Sequence, residues 1–376
     1  MQDFDVTNIV FSSLNDKKTI KTDTNIVLVN IGYLKRDGLA KQVEILNKWK
    51  PKVIALDIMF FKHKTKELDS VFANSISKVE NLVLASRLNV DTNCKDCEEE
   101  DDPDKRFDDV TNPIDIFGKY GYQGFVTLNV EKPWEEVERT FYPEVNIKGK
   151  HLISFAVAAA RQFDSIKADG FLGRENRSEI VNFRRNTDKY LTLDWDDVFK
   201  KQDSLGFLKD KIILMGFLGP DLKTKTLEDI FFTPMNAKYI GRSFPDMYGV
   251  VIHANIISMI LDGKFYNRNS VIWSHVLSFI IIYLNVLLFS FIRKYDIDLY
   301  ETVSLLIILV ELVLYWVIIL AVLNFFRFEI NMVGQFYGLC LITTSYEAYH
   351  DSIKPISLKV FGRFRKLISR KNVKES

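Results

Sequence analysis

The chain has 376 residues, with 50 basic and 49 acidic side chains and a net charge of +1. That length allows more than one domain, and the balanced charge excludes a nucleic-acid-binding surface spread over the whole protein. Three cysteines are too few for a disulfide framework in a chain this long.

The first half reads as an α/β domain. "NIVLVNIG" (25–32) is a continuous apolar run of strand length. "GLAKQVEILNKWKPK" then places Leu39, Val43, Leu46 and Trp49 at helical spacing and stops at Pro51. "VIALDIMFF" returns as a second buried strand, and strand–helix–strand is the mark of a parallel pair. "ELDSVFANSISKVE" followed by "NLVLASRL" repeats the alternation. The expected fold class is therefore α/β with a mixed or mostly parallel sheet. Cys94 and Cys97 follow in "NCKDCEEEDDPD", a C-x-x-C spacing that makes them weak metal candidates. No second pair and no nearby histidine completes four ligands, so a solvated surface insertion is the simpler reading. Further on come a strand-like "GYQGFVTLNV", a helix-like "HLISFAVAAARQF", "SEIVNFRRN" and "LKDKIILMGFLG". The helix "VIHANIISMILDG" puts Ile252, Ile256, Ile257 and Ile260 on one face and stops at Gly263.

From Val271 to Ile292, and again from Val303 to Phe326, the chain is apolar over enough residues to cross roughly 30 Å of hydrocarbon. Ile330 to Tyr346 is a weaker third stretch, with glycines, Gln335 and two threonines, expected to pack against the other two. Cys340 within it reads as a small buried hydrophobe. The expected division is a soluble domain over 1–268, three spans over 271–347 and a basic tail over 348–376. Arg293 and Lys294 follow the first span, and eight basic residues lie between Lys354 and Lys374. The tail is therefore expected in the cytoplasm and the soluble domain outside it, in the inner membrane. That orientation calls for a hydrophobic segment upstream, because "MQDFDVTNIVFSSLNDKK" holds no apolar core of span length. The tail's alternating apolar and basic residues suit an anionic lipid surface or an acidic partner. Within the spans, His275, Asn285 and Glu311 are polar. A mid-membrane carboxylate costs roughly 2.5–3.5 kcal/mol on insertion scales, so Glu311 should face protein or be protonated. Proton or ion translocation is one reading; an interhelical contact, within the bundle or across a dimer, is the simpler one.

Asp57 ends a predicted parallel strand, the edge at which open α/β sheets bind ligands. Capping of the following turn is the competing reading. Gly216 and Gly219 open a loop that matches neither phosphate-binding glycine pattern, and Asp221 and Asp229 bracket it. His253 falls at the start of a helix with no nucleophile elbow elsewhere in the chain, which favours a structural role over catalysis. No cofactor motif is present.

Taken in order, "IVLVNIG", "KVIALDIMFF", "GFVTLNV…ERTFYP", "SFAVAAARQF", "VNFRRNTDKYLTLDWDDVF", "LKDKIILMGFLGPDLKTKTLEDIFFTPM" and "DMYGVVIHANIISMIL" ahead of three spans resemble the second type of CHASE domain, extracellular sensors of bacterial signalling receptors. The resemblance implies a ligand-binding sensor with Asp57, Asp221, Asp229, Thr233, Pro234 and His253 at recurrent positions. The expected function is a membrane-anchored extracytoplasmic sensor that binds a small ligand or envelope component. It would relay its state to a separate cytoplasmic partner, with a homodimer as the expected assembly. A membrane-tethered hydrolase using Asp57, Asp221 or Asp229 with His253 is the alternative, and an envelope scaffold the third.

Overall fold

The computed structural model describes residues 6–14, 21–91, 103–128, 137–236, 244–268, 270–295, 297–330, 333–357 and 359–360. Cys94, Cys97 and most of the basic tail lie outside them. The chain divides into two compact units, Met1–Tyr266 and Asn267–Ser376.

In the first unit, β1 (Asp23–Asn30), α1 (Arg36–Asn47), β2 (Val53–Leu56), α2 (Lys66–Ile76) and β3 (Leu82–Val90) follow the expected alternation. Then come β4 (Phe107–Thr111), β5 (Tyr122–Phe125), α3 (Phe155–Phe163), α4 (Ser165–Leu172), β6 (Tyr190–Leu193), α5 (Trp195–Lys200), β7 (Ile212–Gly216) and α6 (Gly249–Asp262). Among the described residues the main sheet has seven strands in the order β6–β1–β7–β2–β3–β4, with β5 also on β3. Every pairing is parallel except β3 with β4. The sheet is thus mostly parallel, as expected. Its central strands carry apolar residues on both faces: Ile26 to Val29, Val53 to Leu56 and Ile212 to Met215 are all buried.

Two helical layers supply the cover. α1, α2 and α5 pack on one face, where Leu39, Val43, Leu46, Phe72, Ile76 and Val198 join the core. α3 and α6 cover the other face, with α6 against β1 and β7 and α3 against β2, β3 and β5. α6 is wrapped on all sides, since every residue from Gly249 to Leu261 is buried. The single apolar stripe read from its isoleucines is therefore too narrow a description. A helix enclosed this way carries apolar residues all round and must satisfy its few polar ones internally. Asn255 accepts from the backbone N–H of Arg184 and Arg185 (both 3.1 Å) and donates to the Arg185 carbonyl (2.8 Å). Ser258 donates to Asp23 at 2.7 Å.

Helix α3 begins later than the periodicity implies. Lys150–Ile153 pairs in a hairpin with Glu144–Ile147, and Ser154 then caps α3 by accepting from Val157 N–H. The start of α3 sits on Gly124 of β5, where an added Cβ would lie 2.6 Å from the Phe155 Cα.

The loop after β2 is pinned by a buried ion pair. The Arg36 guanidinium binds the Asp69 carboxylate, donates to the Lys62 carbonyl at 2.5 Å and lies over the Phe117 ring at 5.1 Å. His63 adds a 3.0 Å contact to Asp69. Burial pushes the Asp69 carboxyl up, but hydrogen bonds from His63, Arg36 and Lys64 outweigh it and hold the carboxyl below its ordinary range.

The second unit contains α7 (Val271–Tyr295), α8 (Ile297–Ala321) and α9 (Val333–Ala348). Among the described residues, two helical segments, Ile272–Tyr295 and Tyr300–Phe326, are long and apolar enough to cross a membrane. The third expected span is not among them: its helical run continues past α9 through Tyr349–Ile353, but Gln335, two threonines, Glu347 and His350 make it less apolar than the other two. It packs against α7, with Gly334 3.3 Å from Ser278 Oγ when a Cβ is placed on it and Gln335 donating to the Ser274 carbonyl at 3.3 Å. Gln335, Leu339 and Ile342 form its buried face. Cys340 points away from that face and is exposed, contrary to the buried position expected from its apolar neighbours.

Asp69→Ala is expected to cost about 3–5 kcal/mol, because it strands the buried Arg36 cation without its carboxylate. Urea denaturation of the wild type and variant checks this; a cost under about 1 kcal/mol would show that the pair does not hold the loop.

Candidate functional site

The carboxyl ends of β1, β7 and β2 lie side by side, and their continuations diverge. The chain leaves β1 and β2 for α1 and α2 on one face, whereas after β7 it goes on to α6 on the other. A crevice opens where neighbouring strands part in this way.

Asn30 closes the base of this edge. Its side chain is fully buried. Nδ2 donates to Asp194 Oδ1 at 2.8 Å and to the Gly219 carbonyl at 3.1 Å. Oδ1 accepts from the N–H groups of Gly32 (3.0 Å) and Leu218 (2.9 Å). One amide thereby uses its full hydrogen-bonding capacity to join the loops after β1, β6 and β7. Asp194 continues the tie by capping α5 and accepting from Leu222 N–H at 2.9 Å. Gly32 has φ +49°, and a Cβ there would meet the Trp195 ring at 2.7 Å, so the close approach of this loop requires glycine.

Asp57 directly follows β2, with its N–H donating to the Met215 carbonyl at 2.8 Å. Burial first, and the Asp229 charge second, push its carboxyl up to about 8. Asp229 stands with φ +53°, and its carbonyl accepts from Gly249 N–H at 3.2 Å. Its carboxylate oxygens lie 3.5 and 3.6 Å from where a Gly249 Cβ would be. That places a carboxylate at the first turn of α6, which has no capping side chain. Burial and then the Glu228 charge raise Asp229 to about 6. Asp229 keeps much of its surface in solvent, which screens it, so the half-buried Asp57 carries the better-founded effect of the two. A buried carboxyl within the field of another can be relieved by an arriving cationic or donor-rich group. Beside them, Phe217 packs against Tyr33 (5.5 Å) and Tyr248 (6.3 Å), and the Tyr33 hydroxyl donates to Glu228 at 2.8 Å.

The remaining expected residues do not join this pair. Asp221 folds back on its own loop, accepting from Lys223 N–H, Thr224 N–H (both 2.8 Å) and the Thr224 hydroxyl (2.9 Å). Those bonds hold its carboxyl below the ordinary range. Thr233 is buried and bound to Asp246 through its N–H (2.8 Å) and hydroxyl (2.7 Å), which fixes the turn through Pro234. His253 lies in the second turn of α6, because the helix begins at Gly249 and not at the expected Val251. It packs edge-on to Phe155 at 5.2 Å, and burial depresses it to about 3, so it is neutral. The hydrolase alternative needs this histidine beside the carboxylates, and the structure brings together only Asp57 and Asp229. Asn30 and Gly249 were missed from sequence. Asn30 ends an apolar run just as Asp57 does, which was the available signal.

The match to known families places residues 16–293 in the CHASE2 domain. The chain belongs to the CHASE2 family. CHASE2 domains are extracellular sensor domains. No curated protein and no solved structure matches the chain. In this CHASE2 domain the Asp57–Asp229 edge is the place where the sheet, the uncapped helix and unneutralised carboxyls meet.

Asn30→Ala is expected to destabilise the domain by several kcal/mol, at about 1–3 kcal/mol for each buried group left unpaired. A variant that unfolds at the wild-type urea midpoint would contradict the role given to this side chain. Asp57 also makes stability fall with pH. Its folded-state pKa of about 8 exceeds its ordinary 3.8, so the folded chain binds the proton more tightly. The resulting stabilisation is present in full below the ordinary pKa and is lost as pH rises toward about 8. Asp57→Asn should flatten that decline in urea midpoints measured across this range; an unchanged slope would assign it to other groups.

Proposed function

We propose that the chain is a membrane-anchored extracytoplasmic sensor whose ligand engages Asp57 and Asp229 and whose state passes through α6 to the helices that follow. The observation that carries this reading is the course of α6. Its first turn touches the carboxylate edge, with Gly249 against Asp229 and Val250 packed on Gly216. Fourteen residues later, a rise of roughly 20 Å, it ends at Gly263 in the left-handed conformation that stops a helix.

The exit from this helix is held from several sides. The Leu261 carbonyl accepts from Lys167 Nζ (2.7 Å), the Lys264 carbonyl from Asn182 (2.8 Å) and the Tyr266 carbonyl from Arg174 (3.1 Å). Phe265 packs on Phe171 at 5.2 Å, and Tyr266 on Phe11 at 5.4 Å. A displacement at Gly249 would thus travel along one enclosed rod to a clamped exit, a short step before α7. A ligand shifts such an element only by its differential affinity for two positions of it.

Membrane anchorage rests on the exposed apolar surface of the second unit. Only 6% of the most apolar window in Tyr300–Phe326 is buried, so this helix is not the core of a soluble domain. Its leucines and valines need a hydrocarbon solvent. α9, packed on α7, completes a third crossing in this reading, and the basic tail meets lipid or an acidic cytoplasmic partner. A second copy of the chain is the assembly we favour.

Topology reporters fused after residue 268 and at the C-terminus test the proposal. The first is expected to be active only outside the cytoplasm and the second only within it. The reverse pattern would overturn the sensor orientation.

A further inference from the structure

Glu311 is the only charged residue in the apolar stretches Val271–Ile292, Val303–Phe326 and Val333–Tyr346. No lysine or arginine in those stretches is available to neutralise it. Its side chain faces Asn285 across the α7–α8 pair. Asn285 is 3% exposed, and its Nδ2 donates to the Ile281 carbonyl at 3.2 Å. Asn285 Oδ1 and Glu311 Oε2 are both buried and have no partner.

Both orphaned atoms are acceptors. An ionised glutamate offers no donor to either, and leaving buried acceptors unpaired is costly. A protonated carboxyl supplies one O–H, enough to convert the two orphans into a donor and an acceptor. A proton is also the least demanding way to remove an unpaired charge from hydrocarbon. The other titratable groups nearby offer no alternative: Tyr315 lies one turn along α8, and His275 is ten residues before Asn285 on α7, roughly 15 Å along the helix. On α9, Tyr337, Cys340 and Tyr346 carry no positive charge.

We propose that Glu311 and Asn285 form a proton-binding site between α7 and α8, with the Glu311 carboxyl donating to Asn285 Oδ1. The proton comes from solvent, and its loss returns a carboxylate to a site with no cation, loosening the helix pair. The inference rests on reading α7 and α8 as membrane-spanning.

Infrared spectroscopy of the full chain in lipid at neutral pH tests it. A protonated-carboxyl band is expected in the difference between the wild type and Glu311→Gln, which cancels the contribution of Asp57, and it is expected to shift to the position of a free carboxyl in Asn285→Leu. Loss of ionised-carboxylate bands in Glu311→Gln, or a protonated band that Asn285→Leu leaves in place, would overturn it. Should either variant fail to fold, Asn285→Ser carries the same readout: a shifted band supports the site and an unmoved band refutes it. An inverted topology would leave the band intact, so the two readings fail separately.

Discussion

Everything at the candidate site depends on how the side chain of Asn30 is satisfied. Three loops reach the carboxyl edge of a sheet whose central strands are buried on both faces, so their polar backbone groups cannot all turn to water. Asn30 supplies two donors and two accepting directions to Asp194, Gly219, Gly32 and Leu218. With those groups paired, the loops can stand close enough for Trp195 to cover Gly32 and donate to the Pro220 carbonyl at 3.0 Å. Asp194 passes the constraint on by capping α5. An aliphatic residue of the same size would leave four polar groups competing for water that is not there.

Against this fixed edge, Asp57 and Asp229 are the groups whose preferred state is not already settled by close partners. Asp69 and Asp221 are fully engaged, the first by Arg36 and His63, the second by its own loop. Asp57 has only burial and another carboxylate nearby, which disfavour its charged form. A group held away from its ordinary state is sensitive to what arrives beside it. α6 begins beside Asp229 and ends at the clamped exit, so this edge and the chain's course out of the domain meet on one enclosed helix.

The alternation of β1, α1, β2, α2 and β3 was legible because each unit carries its own signal. Continuous apolar runs mark strands buried on both faces, and Leu39, Val43 and Leu46 mark a helix packed on one of them. Asp57 was legible for the same local reason, as the first polar residue after such a run. The insertion of β7 between β1 and β2 was not, since strand order depends on contacts nearly 200 residues apart. β4 and β6 also escaped notice, being short strands at the sheet's margins without a long apolar run. His253 was misjudged as a helix start because the residues before it, Gly249 to Ile252, are compatible with either a turn or a helix. Burial on all sides of α6 decided the matter.

By itself the sequence determined the α/β class, the family, the two long apolar helices and the candidacy of Asp57, because hydrophobic periodicity and run length are local properties of a chain. Only the tertiary structure decided which polar residues meet. It separated Asp221, Thr233 and His253 from the Asp57–Asp229 pair, gave Asn30 its joining role and turned Cys340 outward. The physical reason is that a hydrogen bond or a desolvated charge belongs to a pair of groups and their surroundings. Which groups pair is set by packing between distant segments, and no spacing along the chain records it.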